Sequence, residues 1–238
     1  MDNIEEIELK IISDKEFIVY HDICSFLENE YNQIALPTIN RDYWYFDDSY
    51  YTLFRNNAYL RLKKNYNNGN VTLCFKNVNK IDNGIYYRNE YTENIGKDLD
   101  LYKLENSHSF LKAKDYILQY NNSNNFLHIT NTCKAKVERK IILSKLKSIS
   151  EKSDEFINED FFITCDEVVC FNQLNEKTKF YELEVEIRAT EERREYAKYM
   201  LHNLKNYLIN LNYQMSKKNK YQLVLETKLN NMFINYNS

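Results

Sequence analysis

Apolar and ionisable residues alternate with a period of two in stretch after stretch of this chain, starting with Glu6-Ile7-Glu8-Leu9-Lys10-Ile11. That period marks a strand with one apolar and one polar face. Over residues 58–64, Leu60 and Leu62 oppose Arg61 and Lys63, and over 71–76, Leu73 and Phe75 oppose Thr72, Cys74 and Lys76. Over 85–93, Tyr87, Asn89 and Tyr91 oppose Arg88 and Glu90. Within 133–143, Lys134, Lys136 and Glu138 oppose Ala135 and Val137. Over 179–188, Glu182, Glu184, Glu186 and Arg188 oppose Leu183, Val185 and Ile187. Residues 43–47 and 161–169 add aromatic and β-branched strands, and Asn68-Gly69 predicts a hairpin turn.

Helical spacing interrupts the strands. A helix is expected from about Asp14 through Phe17, Ile23, Phe26, Leu27 and Tyr31, stopping before Pro37. A mainly helical insertion is expected over 98–120, broken at 121–125, and a helix from Thr190 to about Leu211. A shorter C-terminal helical piece holds Lys217, Lys218 and Tyr221. No linker, charge block or repeat divides the chain, so residues 1–238 read as one domain with an insertion at about 96–130 and C-terminal helices at about 190–233.

Helices are available to cover apolar strand faces. If they do so from outside, the charged faces turn inward, and a curling sheet gathers Glu6, Glu8, Glu90, Glu138, Glu182, Glu184 and Glu186 with Lys10, Arg61, Lys63, Lys76, Arg88, Lys134, Lys136 and Arg188. The expectation is an α+β fold: an antiparallel β-barrel with a charged interior and flanking helices. Burying that many charges costs several kcal/mol each unless they are paired, hydrated or neutralised by a highly charged ligand. Glutamates two apart on a strand project side by side, so Glu6/Glu8 and Glu182/Glu184, with Glu186 on the same face, offer an all-oxygen site for Mg²⁺ or Mn²⁺. The interleaved lysines and arginines suit a polyanion. A triphosphate fits both.

Composition adds limits. With 32 Lys+Arg against 35 Asp+Glu, the net charge of −3 supplies no overall field for nucleic acid or acidic membrane, so no double-stranded nucleic acid is expected and any anion site is local. No apolar run is long enough for a bilayer, and five unpaired-looking cysteines suggest reduced thiols, so the cytoplasm is the expected location. The histidines read as surface or satisfied residues, and Trp44 with its tyrosine neighbours as core more readily than as a base-stacking site. The sequence leaves the oligomeric state open, a homodimer included.

Taken in order, the segments resemble the CYTH domain of the triphosphate tunnel metalloenzymes. Glu6-Ile7-Glu8-Leu9-Lys10 resembles the family's ExExK signature, and Tyr45-Phe46-Asp47 with Leu60-Arg61-Leu62-Lys63 its YFD…LRxR segment, Lys63 replacing an arginine. Leu73-Cys74-Phe75-Lys76 resembles its single-lysine strand, Arg88-Asn89-Glu90 its RxE strand, Asp166-Glu167-Val168 its DxV strand, and Tyr181-Glu182-Leu183-Glu184 its terminal ExE strand. The resemblance implies an eight-stranded tunnel. It implies Glu6, Glu8, Glu182 and Glu184 as metal ligands, and Lys10, Arg61, Lys63, Lys76, Arg88 and Lys136 as phosphate contacts. Glu90 and Asp166 would serve the metal or its water. Arg139 is an alternative to Lys136, although strand alternation points Lys136 inward, and Lys217 resembles a lysine that closes over the phosphates from the C-terminal helix.

The activity so implied is metal-dependent hydrolysis of a triphosphate such as tripolyphosphate, thiamine triphosphate or a nucleoside triphosphate. A class IV type adenylyl cyclase is the alternative enzyme, and a non-catalytic polyphosphate, nucleotide or RNA 5′-triphosphate binding module the alternative of another kind.

Overall fold

The computed structural model describes residues 4–13, 19–82, 84–97, 101–120, 128–147, 159–172 and 175–233. Its strands are β1 (Ile4–Ser13), β2 (Tyr31–Asp47), β3 (Tyr59–Asn65), β4 (Val71–Asp82), β5 (Ile85–Gly96), β6 (Thr130–Leu146), β7 (Phe161–Phe171) and β8 (Lys177–Ile187). They close into a barrel in the order β1-β5-β4-β3-β2-β6-β7-β8, every neighbouring pair antiparallel. Closure leaves no open sheet edge. The helices are α1 (Val19–Leu27), α2 (Thr52–Arg55), α3 (Leu101–Glu105), α4 (His108–Tyr120), α5 (Glu191–Asn210) and α6 (Lys220–Phe233).

The alternation read from the sequence decides which face the helices cover. Ile7, Leu9 and Ile11 of β1 and Leu183, Val185 and Ile187 of β8 point outward onto Ile23 and Leu27 of α1 and Leu201, Leu204 and Leu208 of α5. Leu60, Leu62, Leu73 and Phe75 pack with Ala113 and Ile117 of α4, which places the insertion outside the β3–β4 wall. Each such side chain contributes about 1.5–3 kcal/mol when fully buried, which offsets the cost of a charged interior. Helix α5 begins with Glu191 and Glu192 in its first turn, favourable against the helix dipole. It ends where Asn212 takes a left-handed φ of 66° and donates its N–H to the Ile209 carbonyl.

The expected helix over 14–31 is shorter, Val19–Leu27, and Asp14 lies outside the described residues. Tyr31 instead begins β2, which runs 17 residues. Pro37 therefore stops no helix. It sits at a break in the β2–β6 register between Leu36 and Ile39, where a missing N–H costs no ladder bond. The insertion forms α3 and α4, and the break expected at 121–125 lies outside the described residues. The hairpin at Asn68-Gly69 is present, with Gly69 at φ 73°.

One end of the barrel is sealed. Tyr221 of α6 stacks on Tyr45 at a centroid distance of 5.1 Å, and its hydroxyl lies 3.1 Å from both Asp47 Oδ2 and Thr132 Oγ1. Val224 and Leu225 pack with Cys133, Ala135, Val137 and Val168, apolar residues on the inner strand faces. Asp47 ties the seal to α2 by accepting the N–H groups of Asp48, Leu53 and Phe54 at 2.9 Å, and burial lifts its pKa to about 6. The opposite end is wetter: along β8, Glu182 is fully buried while the side chains of Glu184 and Glu186 are 17% and 19% exposed.

Candidate active site

Registered pairs put the inner faces together. Glu6 pairs with Arg88, Lys10 with Glu184, Lys76 with Glu90, Arg139 with Asp166, and Asp166 with Glu182. Direct partners in an antiparallel ladder share a face. The interior is therefore a continuous field of acids and bases.

Near the sealed end, Asp166, Glu182 and Glu184 bring carboxylate oxygens within 4.8 Å of one another. Arg139 grips both Asp166 oxygens at 2.6 Å, and Lys220 Nζ, entering from the first turn of α6, stands 2.5 Å from Asp166 Oδ2 and against Glu182. Lys10 Nζ lies 2.5 Å from Glu184, 3.1 Å from Glu8 and 3.8 Å from Glu182. Arg88 completes this group, 2.7 Å from Glu8. Towards the open end Lys76 Nζ reaches both Glu6 oxygens at 2.5 Å and Glu90 at 2.9 Å.

Burial and neighbouring charge set the proton affinities. Burial pushes the carboxyls of Glu6, Glu182 and Glu186 above their usual range. It pushes Glu8, Glu184 and Asp166 the same way, but cations prevail: Arg88 and Lys10 on Glu8, Lys10 and Lys220 on Glu184, and Arg139 and Lys220 on Asp166, which drops to about 2.

Strand β3, on the opposite wall, carries no acid. In the ring of eight, β3 stands across from β8. Arg61 and Lys63 of β3, with Arg41 of β2, have no carboxylate within ion-pair distance among the described residues, and the buried Nε atoms of Arg41 and Arg61 have no hydrogen-bond partner. Burial and the adjacent Arg61 pull Lys63 down to about 8. Tyr43 lies beneath Arg61, whose guanidinium is 4.3 Å from the ring centroid, and its buried hydroxyl has no partner. Burial raises that phenol, yet Arg139 and Arg61 outweigh it and bring it to about 7.

The structure gathers Glu6, Glu8, Lys10, Arg61, Lys63, Lys76, Arg88, Glu90, Arg139, Asp166, Glu182, Glu184 and Glu186 on the inner faces. Three other expectations are corrected. Lys134 and Lys136 are exposed on the outer face of β6, as is Glu138, because the inner face there carries Ala135, Val137 and then Arg139. Arg139 is thus the basic side chain that β6 sends into the charged zone, with the buried Lys145 on the same face farther along the strand. Lys217 is exposed outside the barrel, and the C-terminal lysine inside is Lys220. Arg188, at the end of β8, is drawn to Glu186 and Glu159 at the rim. Trp44 faces outward, whereas Tyr43 and Tyr45 face in. Glu6, Glu8 and Glu186 stand apart from the acidic trio, and Asp166 takes the place beside Glu182 and Glu184. Tyr43, Arg41 and Lys220 were not among the expected site residues. Period two in Arg41-Asp42-Tyr43-Trp44-Tyr45 was a usable signal for the first two, and nothing in Lys217-Lys218-Asn219-Lys220 singles out the last.

The trio suits a hard divalent cation: it is all oxygen, and Asp166 and Glu182 are fully buried. Two ammonium groups, from Lys10 and Lys220, stand against it.

The eight-stranded closed antiparallel barrel, charged within and jacketed by helices, is the fold that the resemblance to the CYTH domain implied. Among solved structures the chain is similar to HpAC1 from Hippeastrum, an adenylyl cyclase candidate with a dominant triphosphatase activity, at 18% identity and a TM-score of 0.57, covering 94% of this chain and 97% of that one. It is likewise similar to the PH1819 protein of Pyrococcus horikoshii OT3, at 19% identity and a TM-score of 0.51, covering 93% and 98%. No protein-family model and no curated protein matches the sequence.

Proposed function

We propose that this protein is a divalent-metal-dependent triphosphatase acting on a small molecule in the barrel. The observation that carries this reading is the division of the bore into a wall of bases, Arg41, Arg61 and Lys63, with no carboxylate in ion-pair distance among the described residues, and a facing acidic trio, Asp166, Glu182 and Glu184. Only a ligand that is both anionic and able to share a cation satisfies the two walls together.

Asp166, Glu182 and Glu184 would hold Mg²⁺ or Mn²⁺, which when bound supplies neutralisation of charge on the phosphate oxygens. Arg61 and Lys63 bind the phosphates from the facing wall. Lys10, Lys76 and Arg139, now held by carboxylates, exchange those partners for phosphate oxygens and so release acids for the cation. The triphosphatase activity of the Hippeastrum protein of the same fold supports hydrolysis over cyclisation.

Incubation with ATP, tripolyphosphate and thiamine triphosphate under Mg²⁺ or Mn²⁺, with products separated by ion chromatography, tests the reading. Orthophosphate is expected. Pyrophosphate with cyclic nucleotide would make the protein a cyclase, and bound but intact ligand a binding module.

A further inference from the structure

The inner face of the sheet does not end with the charged zone. Beyond Arg139, the same face of β6 carries Ile141 and Leu143, which pair with Leu36 and Ile34 of β2. Leu143 also pairs with Phe162 of β7, and Phe162 with Glu186 of β8. Strands β2 and β6 stay paired past the register break at Pro37, so these residues lie beyond the ring of charge, away from the end that α6 seals.

Ile34, Leu36, Leu143 and Phe162 belong to neither hydrophobic core, and Ile34 and Leu36 are each 37% exposed. Arg188 lies 3.7 Å above the Phe162 ring centroid and is held there by Glu186 at 3.0 Å. An apolar shelf with an arginine stacked on an aromatic ring thus borders the acidic wall of the bore without a break in the strands.

Bare tripolyphosphate, charged along its whole length, gains nothing from such a surface and loses hydration beside it. A planar organic group gains apolar burial and stacking. We propose that the shelf of Ile34, Leu36, Leu143 and Phe162 receives the ring-bearing group of an organic triphosphate whose phosphates occupy the bore, so that the substrate is organic and not inorganic tripolyphosphate. This rests on the reading of the bore as a triphosphate site. It also sets direction: the phosphates enter first, towards α6, and the organic group stays at the mouth.

The test is calorimetric binding of ATP, thiamine triphosphate and tripolyphosphate in EDTA, where metal-dependent turnover does not intervene. At least one organic ligand is expected to bind about tenfold or more tightly than tripolyphosphate, the scale on which a pocket reads a small apolar group. Leu36→Ser, at an exposed position, and Phe162→Ala should each lower the organic-to-inorganic affinity ratio by about fivefold or more. Tripolyphosphate binding as tightly as both organic ligands, or a ratio that neither substitution moves, overturns the shelf while leaving the triphosphatase reading intact. Preserved ratios without phosphate release in Mg²⁺ or Mn²⁺ would overturn the triphosphatase and keep the shelf, and absence of all binding, in EDTA and with Ca²⁺ in place of Mg²⁺ alike, overturns both.

Discussion

Arg139 and Asp166 face each other across the β6–β7 ladder, joined by two parallel hydrogen bonds of 2.6 Å from the guanidinium to the two carboxylate oxygens. Asp166 is fully buried and the Arg139 side chain only 11% exposed, so Asp166 has little hydration to compensate it if Arg139 is removed. Arg139→Met should therefore destabilise the fold by about 3–5 kcal/mol, the cost of a stranded buried charge, less whatever Lys220 recovers. Lys136→Ala, on the exposed outer face, should stay within about 0.5 kcal/mol of the parent. Denaturant unfolding of the two variants checks the pair, and equal effects would contradict the inward placement of Arg139.

Arg61 calls for the opposite result. It is buried without an acidic partner, so replacing it relieves an unpaired charge. Arg61→Met should unfold at the same or a higher temperature than the parent, and its affinity for tripolyphosphate should fall by about tenfold or more, the loss of one charge-assisted contact. A fall in thermal midpoint with unchanged binding would assign Arg61 to architecture alone.

The ammonium of Lys220 competes for the oxygens offered to a cation. Lys220→Met should tighten Mn²⁺ binding in the absence of substrate by about tenfold, and Glu184→Gln should weaken it by a similar factor and abolish metal-dependent turnover. Titration followed by electron paramagnetic resonance reads the affinities directly. Tighter binding in neither variant, or wild-type turnover in Glu184→Gln, would remove the trio as the metal site.

Tyr43 and Asp166 make linked predictions about pH. Both have folded pKa values below the unfolded ones, about 7 for Tyr43 and about 2 for Asp166. A depressed acid contributes stability that is complete above its unfolded pKa and lost as pH falls through the folded one. For Tyr43 that loss spans roughly pH 10 down to about 7, and for Asp166 roughly 4 down to about 2. Phenolate absorbance should show one tyrosine titrating near neutrality, and Tyr43→Phe should erase that step. Acid unfolding of Asp166→Asn should lose the steepness that the parent shows below pH 4.

The strands whose outer faces lie under helices were the readable ones. In β1, β3, β4, β5 and β8, apolar residues face α1, α4 and α5 and charged ones face the bore, so alternation and direction agree. β6 breaks that rule. Its charged residues Lys134, Lys136 and Glu138 meet solvent outside, and Ala135 and Val137 meet the apolar seal of α6 inside. Alternation fixes two faces without saying which is in, and only the position of α6, a long-range fact, decides. The start of β2 departs from the helical expectation for a related reason: Tyr31 packs on Phe161, 130 residues away in sequence, and that tertiary contact overrides the local helical pattern. Lys220 owes its place to the geometry of the α6 entry, where Asn219 is buried against Asn57, and a run of basic residues carries no trace of it.

The plug that α6 makes turns the barrel into a cul-de-sac. In the proposed triphosphatase, a molecule entering phosphate-first would have its terminal phosphoryl group deepest, and cleavage would lodge orthophosphate behind the larger fragment. Departure would then be ordered, with the diphosphate-bearing product first and orthophosphate last, and inorganic phosphate should compete with incoming substrate for the vacated floor.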